Sequence, residues 1–161
     1  MAGEAAHFAY GGLALSGATL MNEGSIDILV IDDDELTSEI IERRLKDSHL
    51  RYRVISACDG QDGLDVLKGK ADRSVRSPYI ILLDLNMPRM NGFEFLEALR
   101  ADAELRDSVV FVLSTSDADS DRSRAYHELV AGYMVKSAIG PQFSKLAKLL
   151  KQYTETIWLP N

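Results

Sequence analysis

Five short apolar runs, separated by segments with helical spacing, constrain this chain more than any other feature of it. The runs are IDILVI (26–31), YRVIS (52–56), YIILL (79–83), VVFVL (109–113) and GYMV (132–135). Each is too short for a helix, and β-branched residues are frequent among them, so they predict five strands. Between them, Leu36, Ile40, Ile41 and Leu45 recur at helical spacing, as do Leu64 and Leu67, and then Phe93, Leu96 and Leu99. The last such series is Leu146, Leu149, Leu150, Tyr153 and Ile157. A fourth helix fits SDADSDRSRAYHELVA (116–131) by length and position, with Tyr126, Leu129 and Val130 as its large apolar residues. Asp34 and Asn91 stand where helix N-caps are expected, and Pro141 suits a first helical turn. Strand and helix alternating in this way predict an α/β fold, a doubly wound five-stranded parallel sheet covered on both faces.

Such sheets place their chemistry in the crevice at the carboxyl ends of the strands. Asp32, Asp33 and Asp34 follow the first run, Asp84 the third, Ser114 the fourth and Lys136 the fifth. If the strands are parallel, several carboxylates, a hydroxyl and an ammonium converge on one rim. Each residue alone has a plainer reading: a turn aspartate, a helix-capping acid, a solvated lysine. Taken together, the carboxylates repel one another unless a cation joins them, and a hard divalent ion such as Mg²⁺ suits oxygen ligands. Lys136 and Ser114 could then hold the oxygens of a phosphoryl group, with Asp84 as its acceptor.

Residues 1–24 differ from the rest. Phe8 to Met21 carry no charge, yet this stretch is too short to span a bilayer and is broken by glycines. No Lys or Arg precedes Arg43, so a secretory signal is not expected. We read 1–24 as an N-terminal extension of low structural content, with Met21 as the natural start, and 25–161 as one domain with an extended C-terminal helix and tail.

The net charge of −7 disfavours binding to a nucleic-acid backbone, and no segment predicts a membrane span. Cys58 is the only cysteine, which fits a reducing, cytoplasmic setting; its plain reading is a small buried apolar residue. His7, His49 and His127 lack transition-metal spacing and are expected at the surface or as caps. GLDVLKGK (63–70) has the wrong glycine spacing for a phosphate-binding loop and has Ala71 where Ser or Thr is needed.

The acidic pair after the first strand, the segment LLDLNMPRMNGFEFL, the hydroxyl after strand four and the lysine after strand five resemble the receiver domain of two-component response regulators. Ser114 and Lys136 are 22 positions apart, with Tyr133 three residues before the lysine, as in chemotaxis-type receivers. The resemblance implies a flavodoxin-like receiver fold, with Asp84 as phosphoacceptor. It also implies that Asp33 is a direct Mg²⁺ ligand, that Asp32 acts through water, and that Asn86 offers its backbone carbonyl. Ser114 and Lys136 would hold the phosphoryl group and Tyr133 would be the switch aromatic, its plainer reading being a half-buried strand residue. A sensor histidine kinase is the implied partner. VLSTS, GYMVKS and YTETIWLPN resemble the single-domain regulators that partner bacterial phytochrome kinases. Most receivers have Lys-Pro where this chain has Lys136-Ser137, which leaves open whether that bond is cis.

Only 25 residues follow Lys136, too few for a DNA-binding output domain, so the signal is expected to leave through protein contacts. The apolar spacing that continues through Ile157 to Trp158 predicts a homodimer joined by the last helix or its tail; the alternative is that Trp158 packs on its own domain. Two rivals remain. A haloacid-dehalogenase-type phosphatase would need an acid at position 86, where Asn stands, and its metal acids downstream rather than at 32 and 33. A pseudo-receiver, a protein-binding module that is never phosphorylated, is favoured only by Ser137.

Overall fold

The computed structural model describes residues 25–47 and 51–160. Strands β1 (Ile26–Ile31), β2 (Tyr52–Ala57), β3 (Tyr79–Leu83), β4 (Val109–Ser114) and β5 (Gly132–Val135) alternate with helices α1 (Glu35–Lys46), α2 (Gly60–Leu67), α3 (Gly92–Ala101), α4 (Asp119–His127) and α5 (Ser144–Thr156). All strand pairs are parallel, in the order β2-β1-β3-β4-β5. The five predicted strands are all present, and β2 and β4 each run one residue further than expected, to Ala57 and Ser114.

Side-chain alternation explains the two covered faces. Leu29, Ile31, Ile81 and Leu83 point to a core shared with Leu64, Phe95, Leu96 and Leu99 of α2 and α3. Their neighbours Ile28, Val30, Ile80 and Leu82 point to a second core with Ile41 and Leu45 of α1 and Leu146 and Leu150 of α5. Both faces of each central strand are therefore buried, which is why the runs are almost wholly apolar; the exception, Asp27 of β1, is buried and paired with Arg53.

Local chemistry sets the helix starts. The Asp34 carboxylate accepts from the Leu36 N–H at 3.0 Å. Asn91 and Glu94 form a reciprocal capping box at the head of α3. Gly92 is obligatory there, because a Cβ would run into the Asp84 carbonyl and the Leu85 backbone.

Several expectations are corrected. Leu36 is 60% exposed and Thr37 takes the buried position, so the apolar stripe of α1 begins one turn later than the spacing suggested. Helix α4 buries only Ala125; Tyr126 is exposed, and Leu129 stands beyond the helix end in a left-handed conformation. Pro141 opens a separate 3-10 turn, Pro141–Phe143, and α5 begins at Ser144. That helix stops at Thr156, where Ile157 turns extended, so the C-terminal apolar residues do not continue one helical face. Trp158 is 74% exposed rather than packed on its own domain, whereas Leu159 tucks against the α1/α5 core. Cys58 is exposed, not buried. His127 is at the surface as expected; the extension 1–24, His7 and His49 lie outside the described residues.

Candidate acidic site at the switch point

The strand order reverses between β1 and β3: the chain leaves β1 toward β2 on one side and returns to β3 on the other. A crevice opens at such a point, beyond the strand ends. The register aligns Ile31 with Leu83, so Asp32 and Asp84 emerge side by side, and Asp84 is fixed by its N–H bond to the Ile31 carbonyl at 2.9 Å. Ser114 at the end of β4 faces Val135, which places Lys136 beside it.

The sequence-predicted residues meet. Carboxylate oxygens of Asp32, Asp33 and Asp84 all lie within 4.8 Å of one another, with Asp32 and Asp84 buried and Asp33 exposed. The Lys136 ammonium donates to Asp32 Oδ2 at 2.7 Å and stands 3.7 Å from Asp84 Oδ2. Asp32 Oδ1 accepts from the Asp34 N–H at 2.9 Å. Asn86 donates its backbone N–H to Asp84 Oδ1 at 3.4 Å, a long contact. Ser114 is fully buried and its hydroxyl accepts from the Ser116 N–H at 3.1 Å. Tyr133 is half-buried, packs against the α2/α3 core and donates its hydroxyl to the Ser116 carbonyl at 2.9 Å. The strand-aromatic reading of Tyr133 therefore holds, and the same side chain also reaches the loop after β4. Among the described residues only Ser77–Pro78 is cis, so the Lys136–Ser137 bond is trans, and Lys136–Ala138 forms a 3-10 turn.

Three carboxylates and one ammonium leave an excess of negative charge in a partly dry crevice. Burial pushes the Asp84 carboxyl above its ordinary range, against the pull of Lys136; the Asp32 and Asp33 charges add to the push, and the Asn86 N–H opposes it. Ser116 was given no role from sequence, yet its N–H, carbonyl and hydroxyl all take part, the hydroxyl donating to Asp121 at 2.6 Å. Its only signal in sequence was a hydroxyl in a Ser-rich turn.

Residues 28–149 match the response regulator receiver domain family. The chain belongs to that family. Its receivers are components of two-component signalling and bind Mg²⁺ or Mn²⁺ at an acidic pocket. The probable methanogenesis regulatory protein FilR2 of Methanothrix harundinacea (strain 6Ac) is 30% identical over 138 residues, 86% of this chain and 89% of that one. Response regulator Rcp1 of Synechocystis sp. (strain ATCC 27184 / PCC 6803 / Kazusa) is 31% identical over 136 residues, 83% of this chain and 92% of that one. The crystal structure of its Mn²⁺-bound form aligns with a TM-score of 0.74, 29% identity and coverage of 84% and 99%. The phosphorylated cyanobacterial phytochrome response regulator RcpA aligns with a TM-score of 0.76, 28% identity and coverage of 86% and 100%. The receiver and its fold thus agree with the reading from sequence, and the chain is homologous to phytochrome response regulators. Among the described residues no helix is long and apolar enough to cross a membrane.

Proposed function

We propose that this receiver is switched by phosphorylation of Asp84, with Mg²⁺ as cofactor and a sensor histidine kinase as phosphoryl donor. The observation that carries the reading is the meeting of the buried Asp84 with two further carboxylates within 4.8 Å and with Lys136 at 3.7 Å. The donor set is made of hard oxygens, and its excess negative charge matches a divalent cation. Asp33 and Asp84 would hold Mg²⁺ directly, Asp32 through water, and Asn86 by its backbone carbonyl. When bound, the ion supplies neutralisation of charge on the transferring phosphoryl group.

The chain's own residues account for the rest. A carboxylate oxygen of Asp84 forms a bond to phosphorus as the bond from phosphorus to the donor's imidazole nitrogen breaks; the electron pair stays on that nitrogen, which takes up a proton. Lys136, already beside both buried acids, pairs with a phosphoryl oxygen. Ser114, whose oxygen accepts from Ser116, has its hydroxyl proton to donate to another. The product adds about −1.5 to −2 charges and three acceptor oxygens, which draw the loop after β4 inward.

Residues 25–161 would form the working receiver in a cytoplasmic setting. The likeness to Rcp1 and RcpA supports a phytochrome-type kinase upstream. Exposed Leu149, Ile157 and Trp158, on α5 and the tail, support a homodimer. The test of the central reading is incubation with Mg²⁺ and acetyl phosphate followed by intact-mass measurement of the wild type and Asp84→Asn. A Mg²⁺-dependent phosphate adduct on the wild type alone is expected; no adduct on folded wild type, with a control receiver labelled, would favour a pseudo-receiver instead.

A further inference from the structure

The loop from Leu85 to Asn91 joins the proposed phosphoacceptor to α3. One end is closed by the Gly92 N–H, which donates to the Leu85 carbonyl at 2.9 Å. Asn86, Pro88 and Arg89 are exposed, and between them Met87 is partly buried against the α2/α3 core, so burial anchors the middle of this arch at one side chain only. Arg89 also has a φ of 65°, in the left-handed region that non-glycine residues enter rarely and hold only when their surroundings demand it.

What demands it is a buried acid on the neighbouring loop. The Arg89 side chain is 68% exposed, yet its guanidinium pairs with Asp59, whose side chain is 3% exposed. The Arg89 Nε donates to Asp59 Oδ2, and a second nitrogen reaches the Cys58 sulfur at 3.3 Å. The other Asp59 oxygen accepts from the Asp62 N–H at 2.9 Å and caps α2. Asp59 is therefore fixed by its own helix and presents its remaining oxygen to the arch. Beside this pair the Gly60 N–H donates to the Met90 carbonyl at 3.0 Å, and a Cβ on Gly60 would lie 2.6 Å from Met90 Cγ. The two loops touch so closely that the arch is tethered at residues 89 and 90 as firmly as at its closed end. Asn86 lies between the tethers.

We infer that Arg89 is a positioning residue for the phosphoacceptor loop, acting through Asp59 to hold the Asn86 carbonyl where the cation is bound. Neither Arg89 nor Asp59 forms any of the hydrogen bonds or ion pairs described at Asp84, so the effect passes through the backbone of the arch. The inference rests on the Mg²⁺-dependent reading of the site for its functional part, while the tether itself is a property of the unliganded chain.

The experiment compares wild type, Arg89→Ala, Arg89→Lys and Asp59→Asn. Hydrogen exchange in EDTA reads the arch without any metal, and a Mg²⁺ titration followed by thermal shift and by acetyl phosphate labelling reads its consequence. Arg89→Ala should exchange several-fold faster across 85–91 with strand peptides unchanged, and should raise the Mg²⁺ midpoint about tenfold. Arg89→Lys should recover part of both, and Asp59→Asn, if its weakened α2 cap still permits folding, should match Arg89→Ala. Unchanged exchange in Arg89→Ala overturns the tether. Faster exchange with an unchanged Mg²⁺ midpoint overturns the positioning role and leaves a merely structural pair. A wild type that takes no Mg²⁺-dependent adduct retires the phosphoryl-transfer reading, and the exchange comparison still decides the tether.

Discussion

Replacing Asp84 by Asn should make the unliganded protein more stable while removing its proposed chemistry. The magnitude follows from the distances. Asp84 and Asp32 present carboxylate oxygens no more than 4.8 Å apart, and at an effective dielectric of about 20 such a pair repels by about 3.5 kcal/mol or more. The Lys136 ammonium at 3.7 Å attracts Asp84 by about 4.5 kcal/mol on the same basis. Asp33 is exposed and screened toward the value in water, about 1 kcal/mol. The two repulsions offset most or all of the Lys136 attraction, so what remains is chiefly the burial of the charge, which is also the leading reason that the Asp84 carboxyl sits above its ordinary range. An amide of the same shape avoids that burial of charge but still buries a polar group, so the net gain is about 1–2 kcal/mol.

The assay is thermal unfolding in EDTA across pH, repeated with Mg²⁺. For a chain of this size the gain corresponds to roughly 3–8 °C at neutral pH. Because the folded Asp84 carboxyl is raised, the native state holds its proton more tightly than the unfolded state does. Its penalty is fully present above the folded value and vanishes below the unfolded one at about 3.9. The advantage of Asp84→Asn should therefore shrink as the pH falls through that window. Added Mg²⁺ should stabilise the wild type by about 1.4 kcal/mol at ten times its dissociation constant, and the variant less, so the two curves converge or cross. A variant no more stable than wild type in EDTA near neutral pH would refute the reasoning.

Lys136→Met leaves the acids unbalanced and should destabilise the unliganded fold by about 3–5 kcal/mol, partly recovered by Mg²⁺ in a denaturant titration; equal midpoints would mean that the ammonium is already screened. Tyr133→Phe removes the bond to the Ser116 carbonyl and should cost about 1 kcal/mol in the same titration, with the phosphate adduct retained. Trp158→Ala should shift sedimentation toward the monomer without changing the melting temperature, because Trp158 is largely exposed in the single chain; an unchanged sedimentation coefficient, or a monomeric wild type, would remove the tail from the interface.

The fold was legible because its strands are buried on both faces: continuous runs such as YIILL leave little alternative, and the residues that follow them had to share one rim. The site was legible for the same reason, since parallel register carries Asp32 and Asp84 to neighbouring positions once Ile31 faces Leu83. What spacing could not reveal was which members of a periodic series are buried. Leu36 fits the stripe of α1, but the chain has only just left the rim there, and Thr37 turns inward instead. Cys58 reads as a small apolar residue, yet it lies on an exposed turn at the rim rather than inside a strand. The Arg89–Asp59 pair spans 30 positions and depends on a left-handed backbone at an arginine, for which no local pattern exists.

The weakest element by sequence is also the one that, under the proposed reading, a phosphoryl group would move most readily. Helix α3 buries Phe93, Phe95, Leu96 and Leu99, and each such side chain contributes about 1.5–3 kcal/mol. Helix α4 buries Ala125 alone and is held by polar contacts: Ser116 to Asp121 at 2.6 Å, Arg124 to Glu97 at 3.1 Å and over the Phe93 ring at 4.1 Å. Beyond its end, Arg100 of α3 donates to the Glu128 and Leu129 carbonyls. The exposed Arg124–Glu97 pair is worth about 0–1 kcal/mol, and the part-buried Ser116–Asp121 bond to a charged group about 1.5–3 kcal/mol. One to three charge-assisted bonds to a phosphoryl group would be comparable with what holds α4 and below what holds α3. Under the proposed reading the transmission is short. The Ser114 hydroxyl accepts from the Ser116 N–H, and Ser116 in turn binds Tyr133 of β5 and Asp121 in the first turn of α4. A pull on Ser114 therefore reaches the least anchored helix and the edge strand through a single residue.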